Sequence, residues 1–429
     1  NCSHEEACLM AARAAPMGSM KVWALGALAA ALQSAWGVRL PRRGTTECKP
    51  DMGKLGRVRH CKVGKKEACP LEAMIRNGSY MVYPGGKTRC ISNVMPHYAF
   101  QVIPKRTDRL IVVFDGGGAC WDQLSLIANA CNKQGIVPWP RTGMFSIAAD
   151  NPYKDYSVLM VQYCSGDLHA GNVTQKWRDM TGRVVHQRGY HNTRSAIDWA
   201  LKNFPGQLES LIITGTSAGA IGAQVWASTL LREFNYSSAS IIADSYVGLF
   251  PPGFQGSVFQ SLGVCGLDII RPELQGLCQR GEITIADVFD HAIEEFPNVA
   301  FASLMSAHDE VQLDYYNKAT LSMGKPNMSV SLPEFFEQAK STFAHFDRHA
   351  NFAVCIVQTS HHAFSSCEAF YTQGFTVGGH YHSVSDWFSQ FTATGANRSL
   401  RSVCENGPDE NRTCDAFLAD KELVLSRGL

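Results

Sequence analysis

From residue 97 onward, short and nearly continuous apolar runs alternate with stretches of helical spacing. Leu110-Ile111-Val112-Val113-Phe114 is apolar at every position, β-branched in its middle and stopped by glycines. That pattern predicts a strand buried on both faces. Runs at 158–163, 211–213, 241–243, 299–305 and 352–357 repeat it. Between them, residues 193–204 set Ala196, Ile197, Ala200 and Leu201 on one face of a helix, and 218–234 reads as a long, mostly apolar helix. Alternation of this kind predicts an α/β fold: a mostly parallel central sheet with helices on both faces. Residues 246–296 break the rhythm and read as an insertion. Residues 38–80 are basic, rich in Cys and Gly and weakly periodic, which suggests a disulfide-stapled arm ahead of a domain spanning 81–395. A polar tail, 396–429, carries Cys404 and Cys414.

The first residues read as processing sequence. Met20-Lys21 precedes an apolar run from Val22 to Leu32, and Ala35 and Gly37 supply small residues at the −3 and −1 positions of a cut after Gly37. Residues 20–37 therefore have the form of a secretory signal peptide. The run is about half the ~20 residues that a membrane-spanning helix requires, so no stable membrane insertion is expected. Residues 1–19 lie upstream of two plausible starts, Met17 and Met20, and read as leader.

Cysteine usage agrees with secretion. The chain holds 15 cysteines, of which only Cys2 and Cys8 precede the cut. Such density is expected where disulfides persist, and Cys265/Cys278 and Cys404/Cys414 are spaced for local bridges. The odd number left after the cut implies at least one thiol that is free or bridged between chains. No CxxC and no paired-ligand spacing occurs, so a metal site is not expected. Sequons at Asn77, Asn172, Asn235, Asn327, Asn397 and Asn411 suggest a glycosylated surface. A formal net charge of +1 supplies no field that would draw the chain to nucleic acid.

The strongest chemical signal is Gly215-Thr216-Ser217-Ala218-Gly219, set between an apolar strand and an apolar helix. This is the strand–turn–helix context of a nucleophile elbow, in which the flanking positions are too crowded for side chains. A second signal is Asp115-Gly116-Gly117-Gly118-Ala119-Cys120-Trp121, a Gly-rich loop after the first strand. Backbone N–H groups of Gly118 and Ala119, with that of Ala218, are candidates for an oxyanion hole. A serine needs a base held by an acid. Asp309 follows one predicted strand and His361-His362 follow the next, in the order nucleophile, acid, base. Asp244, Glu310, His380 and His382 are rivals by position.

These residues resemble the pectinacetylesterase/Notum family of secreted carboxylesterases over roughly residues 80–390. The resemblance rests on the Gly116–Gly118 loop with its nearby Cys and Trp, Tyr163-Cys164-Ser165-Gly166-Asp167, His169, Gly171, the elbow, and Ala243-Asp244-Ser245. Asp309-Glu310-Val311-Gln312-Leu313 and Cys355 ahead of Ser360-His361 complete it. The resemblance implies an α/β-hydrolase-like fold, a triad of Ser217, Asp309 and His361, an oxyanion hole at Gly118, Ala119 and Ala218, and no cofactor. Asp244 is then structural. The doubled His361-His362 leaves the register of the base open by one, and Trp121 stands two residues later than in plant members. The implied activity is removal of O-acetyl groups from a polysaccharide, with a Notum-like removal of a longer acyl chain, or a secreted binding relative without activity, as the other readings. Tyr246, Leu249, Phe250, Phe254, Phe259 and Leu262 either line an acyl pocket or lid or fill core between the insertion and the sheet.

Overall fold

The computed structural model describes residues 48, 51–64, 68–377, 380–395 and 402–404. The signal-peptide segment 20–37, Asn397, Asn411 and Cys414 lie outside the described residues. Fourteen strands occur among the described residues: β1 Val58–Lys62, β2 Ser79–Tyr83, β3 Phe100–Ile103, β4 Arg106–Phe114, β5 Tyr156–Val161, β6 Val173–Arg178 and β7 Val184–Gln187, then β8 Leu208–Thr216, β9 Tyr236–Asp244, β10 Ala300–Ser306, β11 Phe352–Val357, β12 Gly374–Val377, β13 His380–Ser383 and β14 Val403–Cys404. Ten of them form one sheet in the order β1-β2-β3-β5-β4-β8-β9-β10-β11-β14. Only the two ladders of β3, with β2 and with β5, are antiparallel.

The fully apolar strands dictate this architecture. On β4, Leu110, Val112 and Phe114 enter one core cluster while Ile111 and Val113 enter another on the opposite face. The first cluster takes in side chains of the helices Gly189–Asn203, Ala218–Glu233, Ile285–Glu295 and Leu332–Asp347. The second is closed by Met144, Phe145, Tyr153 and the helix Val384–Thr394. Parallel strands covered on both sides have no polar face to alternate, which is why each reads as a continuous apolar run.

The predicted strands and helices are all present, most of them longer than their apolar centres. The 246–296 insertion is real and helical, with Phe254–Ser261, Pro272–Arg280 and Ile285–Glu295 placed between β9 and β10. The Cys-rich stretch contributes more order than its composition implies, since β1 and β2 extend the main sheet. Five disulfides join Cys48–Cys367, Cys61–Cys69, Cys90–Cys164, Cys120–Cys131 and Cys265–Cys278. They fit an oxidising compartment. Of the sequon asparagines, Asn77, Asn235 and Asn327 are exposed, whereas Asn172 is half-buried.

Candidate active site

The register of the parallel strands brings the chemistry to one rim. Thr216 at the end of β8 pairs with Asp244 at the end of β9, and Leu304 on β10 pairs with the same Asp244. Ser306 and Val357 end β10 and β11 side by side. Ser217, Ser245, Ala307 and Gln358 therefore begin four neighbouring loops at one level. This is the carboxyl edge where open α/β sheets carry their sites.

Ser217 sits on the bend itself. Its backbone is left-handed, with φ 56° and ψ −123°, a conformation that an L-residue holds only under constraint. Three contacts impose it. The Ser217 N–H donates to the Asp244 carbonyl at 2.9 Å. A Cβ at Gly215 would overlap the carbonyl of Gly219, and one at Gly219 would overlap the carbonyl of Phe114. No side chain fits at either position, so the two glycines are steric necessities. The serine is partly exposed and precedes the first residue of the helix Ala218–Glu233, where unpaired N–H groups favour negative charge.

The acid is Asp309. It caps the helix Glu310–Ser322, with its Oδ1 accepting the N–H groups of Val311 and Gln312 at 3.0 Å each. The Gln312 side-chain amide donates to Oδ2 at 2.8 Å. The carboxylate is fully buried and meets the Nδ1 of His362 at 2.8 and 3.0 Å. This departs from the expected partner, His361. Consecutive residues on an extended loop point in opposite directions, so only one of the pair can face Asp309. His361 instead tilts against Phe364, gives its carbonyl to the Ser306 hydroxyl, and has a buried Nε2 with no hydrogen-bond partner among the described residues. Burial lowers the His361 pKa.

The loop that carries His362 is drawn back from β11 towards β9. Three strand spacings separate β8 from β11, about 14 Å at ~4.8 Å each. The loop crosses two of those spacings by binding the end of β9. The Asp244 carboxylate accepts the N–H groups of Phe364 and Ser365 at 3.0 and 2.8 Å and the Ser365 hydroxyl at 2.7 Å. Ser245 accepts the N–H of Ala363 at 2.9 Å. Ser245 and Ala363 both hold positive φ, 62° and 67°. Burial raises the Asp244 pKa, and these hydrogen bonds oppose the shift. Asp244 is thus the anchor of the histidine loop, in keeping with a structural role. Glu310 belongs to the first turn of the capped helix, while His380 and His382 lie on the separate β12–β13 hairpin.

The Gly-rich loop approaches the elbow from β4. A Cβ at Gly116 would lie 2.8 Å from the Thr216 carbonyl, so only glycine permits this approach. Gly118, at φ 70°, forms an isolated antiparallel bridge with Cys131. Its flanking bonds run from Ala119 N–H to the Ala130 carbonyl at 2.9 Å and from Asn132 N–H to the Gly117 carbonyl at 2.8 Å. The expected role of Ala119 is therefore not met here, because its N–H is already committed to Ala130. The N–H groups of Gly118 and Ala218 have no protein acceptor among the described residues. Behind the loop, the Asp115 carboxyl accepts the Trp139 indole N–H at 2.7 Å, and burial pushes its pKa up to about 7. His169 donates from Nε2 to the Asp115 carbonyl at 2.8 Å, and burial pushes its pKa down to about 4.

Sequence reasoning missed the Asp115–Trp139 support and the Ser245 contribution. The one signal available for Ser245 was its place directly after an apolar strand. Of the insertion's apolar side chains, Tyr246, Phe250, Phe254, Phe259 and Leu262 are buried in the main core and Leu249 packs against it partly exposed. Among them Tyr246, Phe250 and Phe254 stack in sequence at 5.3 Å, ending edge-on against Trp121 at 5.2 Å. The one cluster with metal-ligand spacing among the described residues, Asp290, Glu294 and His349, lies ahead of the amino ends of β10 and β11, whereas these loops follow their carboxyl ends, and Arg348 bonds Asp290 within it.

Comparison with known proteins identifies the family and the fold. The family model of the pectinacetylesterases matches residues 86–392. No curated protein matches the chain in sequence. Two crystal forms of the Wnt deacylase Notum from Drosophila superpose with TM-scores of 0.54 and 0.52 at 14% and 15% identity. Each superposition covers 76% of this chain and 96% of the Notum chain. The fold is α/β-hydrolase-like, and the chain, a carboxylic-ester hydrolase, belongs to the pectinacetylesterase family.

Proposed function

We propose that the protein is a secreted serine carboxylesterase that removes O-acetyl groups from a polysaccharide through an acyl-enzyme. The observation that carries the reading is the buried Asp309–His362 pair, at the same carboxyl edge of the sheet as a serine held at φ 56°. His362 is the base, in place of the expected His361. With its Nδ1 bound to Asp309, the ring offers Nε2 to accept the Ser217 proton as Oγ attacks the ester carbonyl. Asp309 stabilises the imidazolium that results. The tetrahedral oxyanion is received by the N–H groups of Gly118 and Ala218. His362 returns its proton to the departing sugar hydroxyl, then takes one from the water that releases acetate.

A short acyl group is favoured by the aromatic ladder from Tyr246 to Trp121. Rings in tilted and edge-on contact at 5.2–5.3 Å lie between the insertion and the Gly-rich loop, where a long chain would need an open slot. Five disulfides and three exposed sequon asparagines support secretion. A series of nitrophenyl esters of increasing chain length tests the substrate class. A maximum of kcat/KM at acetyl agrees with the proposal. A maximum at octanoyl or longer replaces it with a Notum-like deacylase, and no turnover at all favours a binding relative.

A further inference from the structure

The helix Glu310–Ser322 does more than present Asp309 at its first turn. Six residues beyond the acid, the Tyr315 hydroxyl donates to the Ala130 carbonyl at 2.5 Å. That carbonyl is the same acceptor that takes the Ala119 N–H at 2.9 Å. The hydroxyl also occupies the space over Gly118, since a Cβ built there would overlap both the Tyr315 oxygen and the Ala130 carbonyl. At the far end of the helix, Ser322 accepts the Trp121 indole N–H at 2.8 Å and donates to Asp122 at 2.7 Å. One rigid element thus begins at the triad acid and grips the Gly-rich loop at two points. The Cys120–Cys131 disulfide closes the loop against the segment that carries Ala130.

We infer that Tyr315 is a positioning residue, whose hydroxyl holds the Gly118 N–H in place for the oxyanion. The inference rests on Ser217 and the Gly-rich loop being the catalytic centre. Its physical content is simple. Gly118 is at φ 70°, where glycine has the most conformational freedom, and its N–H is left unbonded by the bridge to Cys131. Something must therefore fix the direction of that N–H, and misplacement of a catalytic donor by about 1 Å costs up to 10²-fold in rate. The bond from Tyr315 to Ala130 locks the partner segment of the bridge, while the hydroxyl fills the Cβ side of the glycine. Lys318, 5.1 Å over the Tyr315 ring, limits rotation of the phenol.

The test is Tyr315→Phe in the full glycoprotein, which removes the hydroxyl and keeps the ring. Turnover of nitrophenyl acetate is normalised to Ser217 sites titrated with a fluorophosphonate at long incubation, so that misfolded protein does not count. The expected result is a fall in kcat on the order of tenfold with KM unchanged. Affinity for an alkyl boronic acid, which mimics the tetrahedral state, falls by the same factor. The pH midpoint of kcat/KM stays where it is, because the Asp309–His362 pair is untouched. Tyr315→Met, which keeps the volume without ring or hydroxyl, is measured in parallel should the Phe variant not fold, and the same losses are expected. Wild-type kcat and boronic-acid affinity in either folded variant overturn the inference. Ser217→Ala separates the two levels: if it remains active, the catalytic centre itself has been misassigned, whatever Tyr315 does.

Discussion

Asp309→Asn separates catalysis from folding at this site. The substitution keeps the size of a side chain that is fully buried. An Asn oxygen in place of Oδ1 still accepts the Val311 and Gln312 N–H groups now bound at 3.0 Å, and Asn caps helices as well as Asp does. The change falls on the other oxygen. Oδ2 accepts from both His362 Nδ1 and the Gln312 amide at 2.8 Å. An amide NH₂ in that place is a donor, so it fits only an imidazole whose Nδ1 is bare and whose proton sits on Nε2. That tautomer cannot take a proton from Ser217. The charge that would stabilise the imidazolium is lost as well. Together these effects are expected to lower kcat on the order of 10⁴-fold, or about 5 kcal/mol in barrier. The folding cost is smaller, about 1–3 kcal/mol for one buried donor–donor contact with Gln312 and the lost charge at the helix start. Steady-state hydrolysis of nitrophenyl acetate, with Tm measured on the same preparation, checks both halves. A folded variant within tenfold of wild-type kcat would refute the role of Asp309. So would a loss of activity fully explained by unfolding.

Further predictions follow from the same geometry. His362→Ala should lower hydrolysis on the order of 10³-fold or more, whereas His361→Ala should keep it within about tenfold; the reverse order would return the base to His361. Asp244→Ala would leave the Phe364 and Ser365 N–H groups without their acceptor, with an expected stability loss of about 2–4 kcal/mol and a matching drop in urea midpoint. Burial raises the Asp115 pKa to about 7, so its folded state binds the proton more tightly than the unfolded chain does. The associated stability is full below the unfolded value near 3.8 and is lost as pH rises towards 7. Asp115→Asn should therefore gain in Tm relative to wild type between pH 4 and pH 8, and an unchanged difference across that range would contradict the burial argument.

What the sequence made legible was local and apolar. The elbow was readable because the apolar centre Leu211-Ile212-Ile213 of β8 leads into a turn flanked by Gly215 and Gly219, where a Cβ would overlap the carbonyls of Gly219 and Phe114. The order of Asp309 and His361-His362 was readable because both follow apolar strands. The register of the base was not readable, because it is decided by Asp244 and Ser245 pulling on Ala363, Phe364 and Ser365 across about 120 positions of chain. Ala119 looked equivalent to Gly118 for the same reason. Its N–H direction is set by pairing with Ala130, a contact that no spacing rule contains. β1 was hidden because its strand reads as Val-Arg-His-Cys-Lys, an edge strand with charged residues in place of an apolar run.

The central claim is that Ser217 is the nucleophile of an esterase. Incubating the intact protein with a fluorophosphonate and mapping the adduct by peptide mass spectrometry tests it most directly. One adduct per chain, on Ser217, with ester hydrolysis lost in proportion and both absent in Ser217→Ala, is the result the geometry predicts. Labelling elsewhere, or full hydrolysis in Ser217→Ala, would contradict it.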